Sequence, residues 1–324
     1  MNTTPAAPRK PATLKTARRA RVWRWIVLGV LGALAVLGVW IASDERARWQ
    51  IGEFAALATL GSEASRANSE PFSGTEDKVS FGSDVQQYAL VFTPPSTAPR
   101  RNTTVVFMHG GGWNMGNAEQ YRFVGRYFAN LGYRAALLGY RLAPQHRHPT
   151  QLEDVRAGLQ ASIQRLERDG LRVERIVLGG HSAGAQLAAL LTYDSSLAPE
   201  LRPRLAGMFC LSGPLDFSLC QTGRIRALID GYLGNLENRA VADPIQQVNG
   251  AVSVPVLCFH GANDPVVDSK NATSFVSKVN SLHPGTAQAR IIPDAVHSDV
   301  MHLFLKPSAD AHVLSDWLER IDER

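Results

Sequence analysis

Cysteine is scarce in this chain: three residues in 324, at positions 210, 220 and 258, with no paired spacing among them. That excludes a disulfide-stapled miniprotein and a zinc-cluster domain. No grouping of His, Asp and Glu has metal-ligand spacing, so neither a metal nor any other cofactor is expected. Charged residues make up only 19% of the chain, and no repeat or low-complexity period runs through it, which excludes disordered, collagenous and solenoid proteins. Acidic residues are missing from the first 24 positions, which hold seven Lys and Arg. Without that tail, 27 bases face 29 acids, a net charge of −2. The formal +5 of the whole chain is therefore a property of the tail, and no nucleic-acid partner is expected of the body. What remains, 45% hydrophobic with 27 Gly and 18 Pro, is ordinary globular composition.

Long apolar runs are also lacking, with one exception. Residues 25–42, WIVLGVLGALAVLGVWIA, form 18 positions without a charge, with Trp23, Trp25 and Trp40 at the ends. This length suits a single transmembrane helix, and the basic block at 1–24 predicts a cytoplasmic N-terminus with the rest of the chain outside, extracytoplasmic or periplasmic. A cleaved signal peptide has a similar pattern, but the apolar run is longer than the usual h-region and no small-x-small cleavage site follows. Residues 43–75 read as a juxtamembrane connector, with a short helix near 49–60 followed by the polar SEASRANSEPFSG. In an oxidising compartment Cys210 and Cys220 could pair, although the odd count and the apolar surroundings of Cys258 favour buried thiols.

From residue 76 onward, apolar β-rich runs at 87–92, 104–108, 133–138, 173–178, 205–211, 254–259 and 289–292 alternate with helical patterns near 119–130, 150–168, 183–193, 269–280 and 309–322. Continuous apolar strands separated by helices predict an α/β fold, a mostly parallel sheet with helices on both faces. Chemistry in such sheets collects beyond the carboxyl ends of the strands. Four strand ends are followed by informative residues: His109-Gly110-Gly111-Gly112-Trp113, Gly180-His181-Ser182-Ala183-Gly184, Ala262-Asn263-Asp264, and His297.

The pattern around Ser182 fits a strand-to-helix nucleophile turn, since it closes an apolar strand and opens an Ala- and Leu-rich helix. A serine hydroxyl needs a base to take its proton and an acid to orient that base. Asp264 follows 82 residues after Ser182, and His297 a further 33 residues on. Asp268 is the rival acid and His302 the rival base, but Asp264 lies nearer its strand end and His302 falls within a helix-like stretch. Backbone amides of Gly111, Gly112 and Ala183 are the expected donors to a developing oxyanion.

With these motifs, residues 76–324 resemble the α/β-hydrolase superfamily, specifically serine carboxylesterases with an HGGGW loop, related to the hormone-sensitive-lipase-like and arylformamidase-like esterases. Tyr140-Arg141-Leu142-Ala143-Pro144 is similar to a Y-R-L-A-P segment of that group. Gly139 stands where the hormone-sensitive-lipase group usually has Asp, and GHSAGA replaces GDSAGG, which moves the likeness toward the arylformamidase side. The resemblance implies a small-molecule ester substrate, an acyl-enzyme on Ser182, a structural role for Asp154 and a bracing role for His109. It also implies an insertion over the site at about 214–250, whose apolar residues line a pocket or pack on the sheet. An amidase, formamidase or peptidase of the same fold is the alternative, and a non-catalytic binding relative is a more distant one. Oligomeric state is not legible in this sequence.

Overall fold

The computed structural model describes residues 45–221, 223–235 and 237–324. The basic tail and the expected span at 25–42 lie outside the described residues. Among the described residues, no helix is long and apolar enough to cross a membrane.

Residues 52–324 form one unit built on a single sheet. Its strands are β1 (Thr75–Ser80), β2 (Tyr88–Thr93), β3 (Thr103–Met108), β4 (Arg134–Leu138), β5 (Arg175–His181), β6 (Leu205–Leu211), β7 (Val256–Gly261) and β8 (Ala287–Ile292), in the order β1-β2-β4-β3-β5-β6-β7-β8. β2 runs antiparallel to both β1 and β4, and every pairing from β4 through β8 is parallel. The helices are α1 (Glu45–Ser69), α2 (Arg122–Asn130), α3 (Thr150–Arg168), α4 (Ala183–Tyr193), α5 (Gly223–Leu233), α6 (Lys270–Leu282) and α7 (Ala309–Asp322).

The central strands are apolar at successive positions because both of their faces are covered. Side chains alternate across a strand, so Val106, Met108, Ile176, Leu178 and Cys258 join one core with α3, α4 and α6. Their neighbours Val105, Phe107, Val177, Phe209 and Phe259 join the other, with α2 and α7. Phe209, Phe107, Phe304 and Phe128 contact one another in turn in that second layer, with ring centroids 5.5–6.0 Å apart. All three cysteines are free thiols and buried.

Two features differ from the sequence expectation, the extent of the connector helix and the strand β1, and the alternatives left open for 214–250 can be told apart. The connector is mainly helix: α1 continues through the polar stretch to Ser69. From residue 62 to 69 that stretch contains neither Gly nor Pro, and Pro71 follows soon after. The Arg126 guanidinium donates to the carbonyls of Ala67, Asn68 and Glu70, capping the helix end. The edge strand β1, TEDKVS, carries one apolar residue and so left no hydrophobic signal; its charged side chains suit a sheet edge. Within 214–250, Ile225, Ile229, Tyr232 and Leu233 of α5 pack into the core, whereas Leu219 is exposed.

Phe209→Ala would remove a wholly buried ring that packs on Phe107 and Phe128. We expect it to lower stability by about 3–5 kcal/mol, read from the midpoint of chemical denaturation.

Candidate active site

β5 ends in a turn that an L-residue adopts only when its surroundings hold it there: Ser182 has φ 54° and ψ −118°. Its amide donates to the Leu211 carbonyl at 2.8 Å, which ties the turn to the end of β6. Two glycines make room for this turn. A Cβ on Gly180 would strike the carbonyl of Gly184, and one on Gly184 would strike those of Met108 and His109. The glycines two residues either side of Ser182 are therefore required by close backbone approach.

The turn brings Ser182 to the other two residues expected from the sequence. Ser182 Oγ lies 2.9 Å from His297 Nε2, and His297 Nδ1 lies 2.7 Å from Asp264 Oδ2. The Asp264 side chain is fully buried; Oδ1 accepts from the amides of Val266 and Val267, each at 2.8 Å. Because the carboxylate can only accept, the His297 Nδ1–H donates to Asp264, and the unprotonated Nε2 is free to accept from the Ser182 hydroxyl. Burial pushes the Asp264 carboxyl up, but the imidazoles of His297 and His260 outweigh it and hold the acid well below the usual carboxylate range. Burial pushes His297 down, and the Asp264 carboxylate overcomes this, so its imidazolium is favoured relative to a free histidine.

After β3, Gly111 and Gly112 adopt φ 122° and 57°. Among the described residues, the amides of Gly111, Gly112 and Ala183 donate to no protein acceptor. The loop is fixed from behind. His109 stacks on Tyr140 with centroids 4.1 Å apart, and the Tyr140 hydroxyl donates to the His109 carbonyl at 2.9 Å. Trp113 is buried against Tyr232 of α5, with rings 4.5 Å apart, and its indole N–H donates to Gln186 at 3.0 Å. Leu228, also of α5, covers Gly112: a Cβ there would meet its side chain at 2.9 Å. The inserted segment thus both packs on the core and covers this loop.

A family model described as alpha/beta hydrolase fold matches residues 105–274, more than half of the chain. The chain belongs to the α/β-hydrolase family. It is similar to Esterase LipC of Mycobacterium tuberculosis, 24% identical over 262 residues, covering 75% of this chain and 64% of that protein. It is also similar to ethyl acetate hydrolase of Pseudomonas putida, 28% identical over 214 residues, covering 63% of this chain and 65% of the relative. The matches therefore span somewhat under two thirds of these relatives' lengths. Among solved structures, esterase B from Lactobacillus rhamnosis superposes with a TM-score of 0.68 at 20% identity, covering 86% of this chain and 95% of that one, a likeness of fold.

In this α/β-hydrolase the rival residues sit elsewhere. Asp268 accepts from the Lys270 amide at the start of α6, and His302 pairs with Glu63 at 3.2 Å. Asp154 is 2% exposed and accepts from the backbone amide and guanidinium of Arg141 and from Gln87, a structural junction beneath the Y-R-L-A-P segment. A cleft of ≈ 400 Å³ bounded by Arg66, Phe72, Tyr127 and Lys306 contains none of the residues around Ser182.

The sequence reading missed two histidines. His260, on β7 four residues before Asp264 and wholly buried, places Nε2 3.1 Å from the carboxylate and 2.9 Å from the Val267 carbonyl. His181, beside the serine, accepts from the Tyr121 hydroxyl at 2.9 Å and donates from Nε2 to the His297 carbonyl at 3.4 Å. Its burial pushes it down to about 3, and burial brings His109 to about 4, so both rings are neutral near pH 7. Their strand-end positions were visible in the sequence, but nothing there indicated which ring each would touch.

Gly184→Ala would press a methyl group into two carbonyls at the junction of turn and loop. A stability loss of about 1–3 kcal/mol is expected by thermal denaturation, with a larger proportional loss of labelling of Ser182 by a fluorophosphonate.

Proposed function

We propose that this α/β hydrolase is a serine carboxylesterase that acts on small-molecule esters through an acyl-enzyme on Ser182. The observation that carries the reading is the hydrogen-bonded chain from Ser182 Oγ through His297 to a buried, ionised Asp264, beside three amides that have no acceptor among the described residues. In this reading Ser182 Oγ attacks the ester carbonyl and its proton passes to His297 Nε2. The resulting imidazolium is stabilised by Asp264. The carbonyl oxygen takes up negative charge and is met by the amides of Gly111, Gly112 and Ala183, donors already fixed in place by the stacked His109 and Trp113. Collapse of the tetrahedral intermediate expels the alkoxide, which takes the proton from His297 and leaves as the alcohol. Water then attacks the acyl-enzyme along the same route, with His297 as base again. None of these steps needs a cofactor.

The same proposal includes a membrane anchor at residues 25–42, with the catalytic unit outside the cytoplasm. Its support is the uncharged run and the basic block before it. Such a tether decides where the enzyme meets substrate and leaves the fit of the site unchanged. Resistance of the full-length protein to carbonate extraction, together with protease access from the outer side only, is the expected result for that part.

For the chemistry, p-nitrophenyl esters from acetyl to palmitoyl and a formanilide should be assayed with wild type and Ser182→Ala. Ester turnover that falls by roughly 10⁶-fold in the variant is expected. Near-wild-type turnover by Ser182→Ala would refute the acyl-enzyme, and Ser182-dependent cleavage of the formanilide alone would reassign the substrate. Because His297 must be neutral to accept the proton, and Asp264 favours its charged form, the acid limb of kcat/KM should lie above the ordinary imidazole value of about 6.5. Asp264→Asn removes that anion. The limb should then move to lower pH while kcat drops on the order of 10⁴-fold.

A further inference from the structure

We propose that Glu53 is a positioning residue for His297: from helix α1 it fixes the peptide that follows the catalytic imidazole and supplies a second anion beside it. This rests on the reading of Ser182, His297 and Asp264 given above. Glu53 is 6% exposed, although it lies in the short helix of the segment 43–75 that the sequence suggests is a juxtamembrane connector. Its Oε2 accepts from the backbone amide of Ser298 at 3.1 Å and from the Ser298 hydroxyl at 3.2 Å. Ser298 is itself wholly buried.

The amide that Glu53 holds belongs to the same peptide plane as the His297 carbonyl. That carbonyl accepts from His181 Nε2 at 3.4 Å. The plane joining His297 to Ser298 is thus gripped on one side from β5 and on the other from α1. With both polar atoms of that plane engaged, the ring of His297 is kept between Ser182 and Asp264 by its own backbone. Further along, Glu63 of the same helix pairs with Lys306 at 2.7 Å and His302 at 3.2 Å. The helix therefore holds the segment 298–306 at both ends.

A neutral acceptor would satisfy the Ser298 amide, so the charge calls for a separate reason. Placing a carboxylate among buried groups is unfavourable unless something positive accompanies it. The groups facing Glu53 are His297, Asp264 and Ser298; those acting on His297 are Asp264, Glu53, Arg224 of α5 and His181. Of the groups that face Glu53, His297 is the one that becomes a cation during turnover, whereas Arg224 is a fixed charge that acts on His297. Burial, and to a lesser extent Asp264, pushes the Glu53 carboxyl up; the His297 charge and the Ser298 donors work against this and leave it only raised above the usual carboxylate value. An anion there favours the imidazolium as Asp264 does, from a second direction.

The experiment uses the full-length chain with Glu53→Ala and Glu53→Gln. Gln keeps an acceptor for the Ser298 amide and removes the charge, whereas Ala removes both. With a p-nitrophenyl ester whose turnover is lost in Ser182→Ala, Glu53→Ala should lower kcat ten- to about a hundred-fold, with KM within about twofold of wild type. Glu53→Gln should recover much of that kcat, and its acid limb of kcat/KM should move to lower pH. An unmoved limb in Glu53→Gln overturns the proposal, including the case where Glu53→Ala loses activity only in proportion to its lost folded fraction. If Ser182→Ala itself keeps turnover, the reading of the site fails instead, and the two failures are distinguishable.

Discussion

A backbone turn that an L-residue resists is the constraint on which the rest of this site depends. Holding Ser182 at φ 54° costs on the order of 1–3 kcal/mol, and the cost is met by close packing around the turn. β5 has to end there, its amide has to find Leu211, and α4 has to begin at the next residue. Gly184 then lies against the carbonyls of Met108 and His109, so the serine turn and the glycine loop after β3 share one backbone contact. Neither can shift alone. The loop passes the constraint outward, through His109 to Tyr140 and through Trp113 to Tyr232 of α5. A strained serine, its amide donors and the inserted helix over them are one mechanical unit.

Electrostatics adds a second layer of order. Three histidines other than His297 crowd this end of the sheet, and the proposed transfer of one proton through His297 requires that the others not join in. His181 and His109 are silenced by burial, which holds both neutral; His109 Nδ1 donates to the Gly110 carbonyl, and His181 is engaged by the Tyr121 hydroxyl and the His297 carbonyl. His260 is turned into a donor against Val267 and Asp264. Asp264 stays ionised because two backbone amides and two imidazoles surround it. Proton traffic is thereby confined to the one ring that faces Ser182. His181 in the place of an acidic residue in the serine motif fits this scheme, since it supplies a neutral donor to the His297 carbonyl where an anion could only repel it.

How much was legible in the sequence follows from the range of each interaction. Ser182, Gly111, Gly112 and Ala183 belong to local backbone motifs whose glycines announce the geometry, and the central strands announce themselves because they are buried on both faces. Asp264 and His297 were legible from chain order and from their place at strand ends. β1 was hidden because an edge strand needs little apolar surface. The continuation of α1 beyond residue 60 was hidden because its polar half is stabilised by Arg126 and by ion pairs from Glu63, contacts with residues that follow far along the chain. Glu53 was the least visible of all: its partner lies 245 residues away, and no local pattern marks a glutamate for burial.

That last contact changes where the catalytic unit begins. Composition places a boundary near residue 76, after the Ser- and Glu-rich stretch. The hydrogen bonds place it earlier, because a chain cut at 76 would leave the Ser298 amide without Glu53, and His302 and Lys306 without Glu63. A buried donor stripped of its acceptor costs about 1–3 kcal/mol, and here the loss falls on the residue next to the proposed base. Spacer-like composition is no guide to a spacer when a helix carries one or two side chains inward. Most of α1 is exposed, polar and apolar residues alike, and the carboxylate that matters is one of the few side chains it buries.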